Sequence, residues 1–119
     1  MPLTVITARG ASHRFIVEVA RSPEEQRIGM MNRSTLTPRS GMIFPHDPPA
    51  SLAFWMRDTL IPLDIIFVRA DGTIARIAAN AVPLSLDLVP SGEPVALVLE
   101  IRGGRAAALG IAPGDRVGW

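Results

Sequence analysis

The stretch SLAFWMRDTLIPLDIIFV (residues 51–68) is the most hydrophobic part of the chain, and yet it carries charge. Two apolar runs flank a short polar break, which predicts two strands joined as a β-hairpin. The best core face combines apolar side chains from both arms: Phe54, Met56, Leu63, Ile65 and Phe67. Because a slip of one residue would turn a whole strand over, this match predicts a register with Phe54 opposite Ile65 and Trp55 opposite Asp64.

The same register places Arg57 and Asp64 on the second face of the hairpin, as diagonal neighbours roughly 7–8 Å apart at the backbone. Other side chains of that face, including Trp55, are apolar, so we expect another layer to cover it. A buried ion without a partner is costly, and we therefore predict that Arg57 and Asp64 pair or line a small site. Glu100 is a further candidate, because alternation in VALVLEI (95–101) turns it away from the more apolar face.

Prolines and glycines divide the remaining chain into short segments that mostly resemble strands. The predicted strands are residues 3–8, 13–20, 40–44, 95–101 and a last short one in DRVGW, and the predicted helices are 22–31 and 105–109. PHDPPA (45–50) is predicted to be irregular because of its three prolines, and Asp71–Gly72 is predicted to be a hairpin turn. The sequence thus predicts a single domain over residues 1–119 that is mainly β, as a barrel or sandwich, with two short helices.

The composition limits which kinds of partner the protein can bind and in which cellular compartments it can function. The chain has 119 residues, 12 basic and 11 acidic side chains, and no cysteine. The arginines are dispersed and no row of aromatics accompanies them, so we expect no nucleic-acid binding. No apolar run reaches the ~20 residues of a transmembrane helix. The start, MPLTVITARG, is typical of a strand rather than a signal peptide, which leaves a cytoplasmic protein or one whose leader has been removed.

The sequence contains few catalytic or metal-binding signals. It has two histidines, His13 and His46, and none of the common hydrolase, zinc or phosphate-loop motifs. Asp58, Asp64 and Glu100 could form a carboxylate cluster for acid–base chemistry or for a hard cation. Without a compact ligand motif, we predict no metal and no cofactor. Asp58 also suits a turn, where its side chain can accept from nearby backbone N–H groups.

Three functional hypotheses remain open. The leading one is a small non-catalytic binding module that holds a small molecule or a protein ligand beside Trp55, Arg57, Asp58, Asp64 and Glu100. The second is an enzyme in which Asp64 or Glu100 acts as general base and Arg57 holds an anionic group. The third is a structural or assembly protein, which predicts no pocket.

A set of motifs in one order resembles a known family: RSPEEQRIGMM (21–31), GMIF (41–44), FWMRDTLIPLDIIFV (54–68), DG (71–72), VLEIRGG (98–104) and GIAPGDRV (110–117). Together they resemble the bacterial and archaeal domain-of-unknown-function family 192. The resemblance implies a compact β-rich barrel or sandwich, and often an exported protein, but no established activity. It also implies that Arg57 stands where relatives often have lysine, and Asp58 where they often have asparagine.

Overall fold

The computed structural model describes residues 1–119 and contains nine strands and two short helices. The strands are β1 (Pro2–Ile6), β2 (Ser12–Val19), β3 (Ser40–Ala50), β4 (Ala53–Phe54), β5 (Leu63–Val68), β6 (Ile74–Ala81), β7 (Val89–Pro90), β8 (Val95–Arg102) and β9 (Arg116–Gly118). The helices are α1 (Pro23–Ile28) and α2 (Arg105–Leu109).

Seven of the strands form one sheet in the order β6–β5–β8–β3–β2–β1–β9, while β4 and β7 pair separately. All neighbours in the large sheet are antiparallel except β2 and β3. The two ends of the sheet meet where Thr73, just before β6, bridges to Arg116 of β9. The backbone N–H of Val117 also donates to the carbonyl of Gly72 at 2.8 Å. The sheet therefore curls into a half-barrel.

Two hydrophobic clusters lie on opposite faces of the central strands. All seven strands of the sheet contribute to the first cluster, the inner core, so it fills the concave side together with Ala106 of α2 and Ile111. The second cluster, the outer core, draws its sheet residues from β3, β5 and β8 and is completed by segments outside the sheet such as Met30 and Met56. Strand β5 is buried along its whole length because it separates the two clusters.

The predicted hairpin between residues 54–57 and 62–68 is wrong. Strand β4 pairs with β7, with Phe54 opposite Val89, whereas β5 pairs with β6 on one side and β8 on the other. Because β5 is a central strand with both edges occupied, it has no free edge for β4. The predicted core face is nevertheless correct, since its five apolar side chains lie in the outer core or pack against it.

Two element boundaries also differ from the predictions. Helix α1 begins as predicted, with Ser22 as N-cap and a capping box to Glu25, but it ends at Ile28 because Gly29 turns to a φ of 48°. Residues 45–50, predicted to be irregular, continue β3 as extended backbone. The prolines allow an extended backbone, but they cannot donate hydrogen bonds to a neighbouring strand. Pairing with β8 is therefore interrupted here, and its register shifts between Pro45 and Ala50.

The fold class is confirmed: the chain is a mainly β domain with two short helices. The Asp71–Gly72 turn joins β5 to β6 as predicted, and Gly72 has the positive φ of 89° that such a turn requires. Residues 105–109 form the second predicted helix, which ends at Gly110 in the left-handed conformation. None of the helices is long and apolar enough to span a bilayer.

Candidate functional site

Asp64 lies on the face of β5 that is turned toward the inner core, and it has no solvent-accessible surface. One carboxylate oxygen accepts from the backbone N–H groups of Asn80, at 2.9 Å, and Gly104, at 3.1 Å. The other accepts from the backbone N–H of Ala106 at 2.9 Å, in the first turn of α2. Asp64 therefore ties the end of β6 and the start of α2 to the central strand, which is a structural arrangement.

Glu100 lies on the opposite side of the sheet. Its neighbours across the ladder are Met42 on β3 and Ile65 on β5, which both belong to the outer core. The residue is 4% exposed, and no protein donor or cation contacts its carboxyl group closely enough for a hydrogen bond or an ion pair. Loss of hydration without any compensating partner raises the pKa of Glu100 to about 8. The group is therefore mostly protonated at neutral pH.

Glu100 borders a groove of about 220 Å³. The groove is lined by residues 26–31, by residues 52–55, and by Arg57, Thr59 and Glu100. Apolar side chains form much of this lining, and Glu100 is its only acidic residue. A single buried carboxyl group in a mainly apolar concavity is the arrangement of a small-ligand pocket, in which few polar groups fix orientation.

Trp55 and Arg57 form one wall of this groove. The Arg57 guanidinium lies 5.5 Å from the centre of the Trp55 ring, within cation–π range. Its Nε is 3.7 Å from a carboxylate oxygen of Asp58, and both side chains are more than half exposed. Exposed pairs of this kind are weak, so the arginine side chain can reorient toward a ligand at modest cost.

Hydrogen bonds to two distant segments hold the 55–59 segment in place. The carbonyl of Asp58 accepts from the N–H of Asn32, and the carbonyl of Thr59 accepts from the N–H of Leu84. Asp58 takes a φ of 53°, and the Thr59 hydroxyl donates to the carbonyl of Arg57. The polar residues that separate the two apolar runs are thus a fixed turn that presents Trp55 and Arg57 to the groove.

The structure brings together part of the predicted site. Trp55, Arg57 and Glu100 line the same groove, and Asp58 contacts its rim through Arg57. Asp64 does not join them, because its side chain points into the other core cluster. The predicted pair of Arg57 and Asp64 is therefore absent, and Asp58, Asp64 and Glu100 do not form a carboxylate cluster. The physical reason is the wrong hairpin register, since β4 does not pair with β5.

Sequence reasoning missed the wall of the groove that follows α1. Met30 is buried beside the groove, and Met31 and Gly29 also line it. Neither methionine is among the residues that the sequence predicts for the site. The available signal was the segment GMM directly after a capped helix, since flexible methionines also line adaptable pockets. No group of three or more histidine, cysteine or acidic side chains is close enough to hold a metal ion.

The chain superposes with a TM-score of 0.96 on a crystal structure of a protein of unknown function from Novosphingobium aromaticivorans DSM 12444, at 50% identity over 100% of this chain and 84% of that one. A protein from Sinorhizobium meliloti 1021, described as a "putative transcription regulator", also gives a TM-score of 0.96, at 41% identity over 98% of this chain and 91% of that one. No curated protein matches the chain. The sequence profile of DUF192, described as "Uncharacterized ACR", matches residues 4–119, and the chain therefore belongs to this family.

Proposed function

We propose that the protein is a small-ligand-binding module whose site is the groove bordered by Glu100, Trp55 and Arg57. The observation that carries this proposal is Glu100, a nearly buried carboxyl group without a protein partner at the edge of a concavity. Buried polar groups are almost always hydrogen-bonded in folded proteins. An unpartnered one beside a groove is accounted for if its partner is a ligand.

The groove favours a particular ligand chemistry. A protonated Glu100 donates one hydrogen bond, which suits a carbonyl or another acceptor. Trp55, Met30 and Met31 offer an apolar surface, and Arg57 offers a positive charge near the opening. The volume of about 220 Å³ is below the usual range for drug-sized ligands, which limits the occupant to a small molecule. A small organic acid with an aromatic or aliphatic body meets all of these conditions.

Trp55 provides a direct test of binding. The chain has two tryptophans, so the variant Trp119→Phe leaves Trp55 as the only tryptophan reporter. We expect a saturable fluorescence change when this variant is titrated with a panel of small carboxylic acids such as phenylacetate and hexanoate. The change should disappear when Glu100→Leu is added, because leucine keeps the apolar bulk but cannot form hydrogen bonds.

Matched controls separate binding in the groove from general quenching. In Trp55→Phe, the remaining Trp119 should show no saturable change with the same acids. A panel that gives no saturable response, or the same response with and without Glu100→Leu, contradicts the proposed site.

An acid–base enzyme is the second candidate, and the raised pKa of Glu100 favours it over a purely structural protein. A carboxyl group that titrates at about 8 can act as a general acid near neutral pH. Asp64 is a poor candidate for the base, because its carboxylate is buried and already accepts three hydrogen bonds from backbone N–H groups. A turnover screen tests this alternative: a rate that survives purification and disappears in Glu100→Gln supports an enzyme.

Partner class and compartment stay predictions. We keep the expectation that the chain binds no nucleic acid, and the relative described as a "putative transcription regulator" makes a DNA-binding assay the direct check. Export of the protein is likewise an inference from the family resemblance.

A further inference from the structure

A second cavity, also of about 220 Å³, lies apart from the groove at Glu100. It is lined by residues 12–15 of β2, by Arg39 just before β3, and by Arg105 and Leu109 of α2. Phe15 in this lining belongs to the inner core, whereas the groove borders the outer core. The two cavities share no residue.

The lining of the second cavity is strongly basic. Four of its residues are basic, His13, Arg14, Arg39 and Arg105, and none is acidic. The ion pairs of the protein use other arginines: Arg27, Arg33, Arg57 and Arg69. Three arginines thus meet around one concavity without a carboxylate partner. A cleft with one sign of charge concentrates its field and attracts ions of the opposite sign.

Two nitrogens in this lining are buried and have no hydrogen-bond partner. They are Nε2 of His13 and Nε of Arg105. Folded proteins rarely leave such atoms unpaired, and each instance needs a physical explanation. Both unpaired atoms belong to residues that line the same cavity, so its wall holds polar groups whose hydrogen-bonding capacity is not used within the chain.

We propose that this cavity binds a phosphate group, either inorganic phosphate or the phosphomonoester of a small metabolite. Arginine presents a rigid fork of N–H donors that matches the oxygens of phosphate in a bidentate manner. A phosphate has enough acceptor oxygens to serve several guanidinium groups together. The cavity volume suits a phosphate with a small substituent and is too small for a nucleic-acid duplex to enter.

The test is a titration of the ¹⁵N-labelled full chain with inorganic phosphate, glycerol 3-phosphate and a DNA duplex, at constant ionic strength set by chloride. We expect saturable amide shifts with both phosphates, confined to residues 12–15, 39 and 105–109. Shifts spread over arginines elsewhere in the chain, or no saturable shift, overturn the proposal. So does tighter binding of the duplex than of either phosphate, because it indicates a nucleic-acid surface instead.

Charge-matched variants sharpen this test. Arg39→Gln and Arg105→Gln should each weaken phosphate binding by about tenfold, because each removes charge-assisted hydrogen bonds. Arg39 is exposed, so its replacement leaves folding intact and keeps the test decisive if Arg105→Gln is unstable. Arg21→Gln removes the same charge at an exposed site outside the cavity and should bind as the unmodified protein does. An equal loss in Arg21→Gln shows a general charge effect and contradicts a built site.

Discussion

Asp64 and Glu100 are two buried carboxyl groups on adjacent strands, and their surroundings are opposite. Asp64 points to the inner core and accepts three backbone hydrogen bonds. Glu100 points to the outer side, has no protein partner and borders a groove. The sequence shows both in the same way, as an acid within an apolar strand.

The comparison teaches that burial of a charge does not by itself indicate function. A carboxylate that accepts several hydrogen bonds from backbone N–H groups holds the fold together. A carboxyl group with the same burial and no partner is costly to the fold. We expect a ligand beside a carboxyl group of this second kind, because the group does not stabilise the free protein.

The largest expected effect is that of Asp64→Ala. Three buried N–H groups lose their acceptor, so the free energy of unfolding should fall by about 3–5 kcal/mol. Urea denaturation measures this change. Asp87→Ala, at an exposed loop position, is the control and should change stability by less than about 0.5 kcal/mol. If Asp64→Ala and Asp87→Ala changed the free energy of unfolding by similar amounts, the structural role of Asp64 would be contradicted.

The next effect concerns the pH dependence of stability at Glu100. Its pKa is about 8 in the folded protein and near 4.5 when the chain is unfolded, so the folded state binds more protons between these values. The contribution of Glu100 to stability is therefore fully present below about pH 4.5 and is lost as the pH rises toward 8. Relative to Glu100→Gln, the unmodified protein should lose about 1.4 kcal/mol per pH unit in this window.

The comparison with Glu100→Gln is needed because other acidic residues make stability depend on pH in the opposite direction. The pKa values of Glu18 and Glu93 are lowered, mainly by hydrogen bonds from Arg33 and Arg69, so their contribution is present at high pH and is lost on acidification. Subtracting the two pH profiles cancels these terms. Parallel profiles for the unmodified protein and Glu100→Gln would mean that Glu100 titrates normally.

The smallest effect is expected for Arg57. Its pair with Asp58 is exposed, so Arg57→Ala should lower the free energy of unfolding by less than about 1 kcal/mol. Since Arg57 and Asp64 do not touch, the double variant Arg57→Ala, Asp64→Ala should equal the sum of the single effects within about 0.5 kcal/mol. Urea denaturation of the single and double variants measures this sum. A larger deviation from additivity would indicate that Arg57 and Asp64 interact, as the sequence predicted.

Much of the fold could be predicted because local signals and topology agree. The capped start of α1, the Asp71–Gly72 turn and the alternation in residues 95–101 are all set by nearby residues. Strand pairing was predicted wrongly for β4, since its partner β7 lies more than thirty residues along the chain. Adjacent apolar runs favour a hairpin in the sequence, and only the central position of β5 excludes it.

The candidate site was partly predictable for the same reason. Trp55, Arg57 and Glu100 are recognisable as polar or amphipathic residues at apolar positions. The sequence does not show that Asp64 is hydrogen-bonded and Glu100 is not. This difference depends on which backbone N–H groups the fold brings to each carboxyl group. Asn80 and Gly104, which donate to Asp64, are distant in sequence and offer no motif. The basic cavity could not be predicted from the sequence either, since its arginines are dispersed along the chain.

The most direct measurement of the central claim is a ¹³C NMR titration of the side-chain carboxyl of Glu100, assigned by the loss of its signal in Glu100→Gln. The account predicts a midpoint near pH 8, because the buried group has no partner that stabilises its charge. A midpoint near 4.5, the ordinary value for glutamate, would contradict it, since Glu100 would then be hydrated or paired in the free protein.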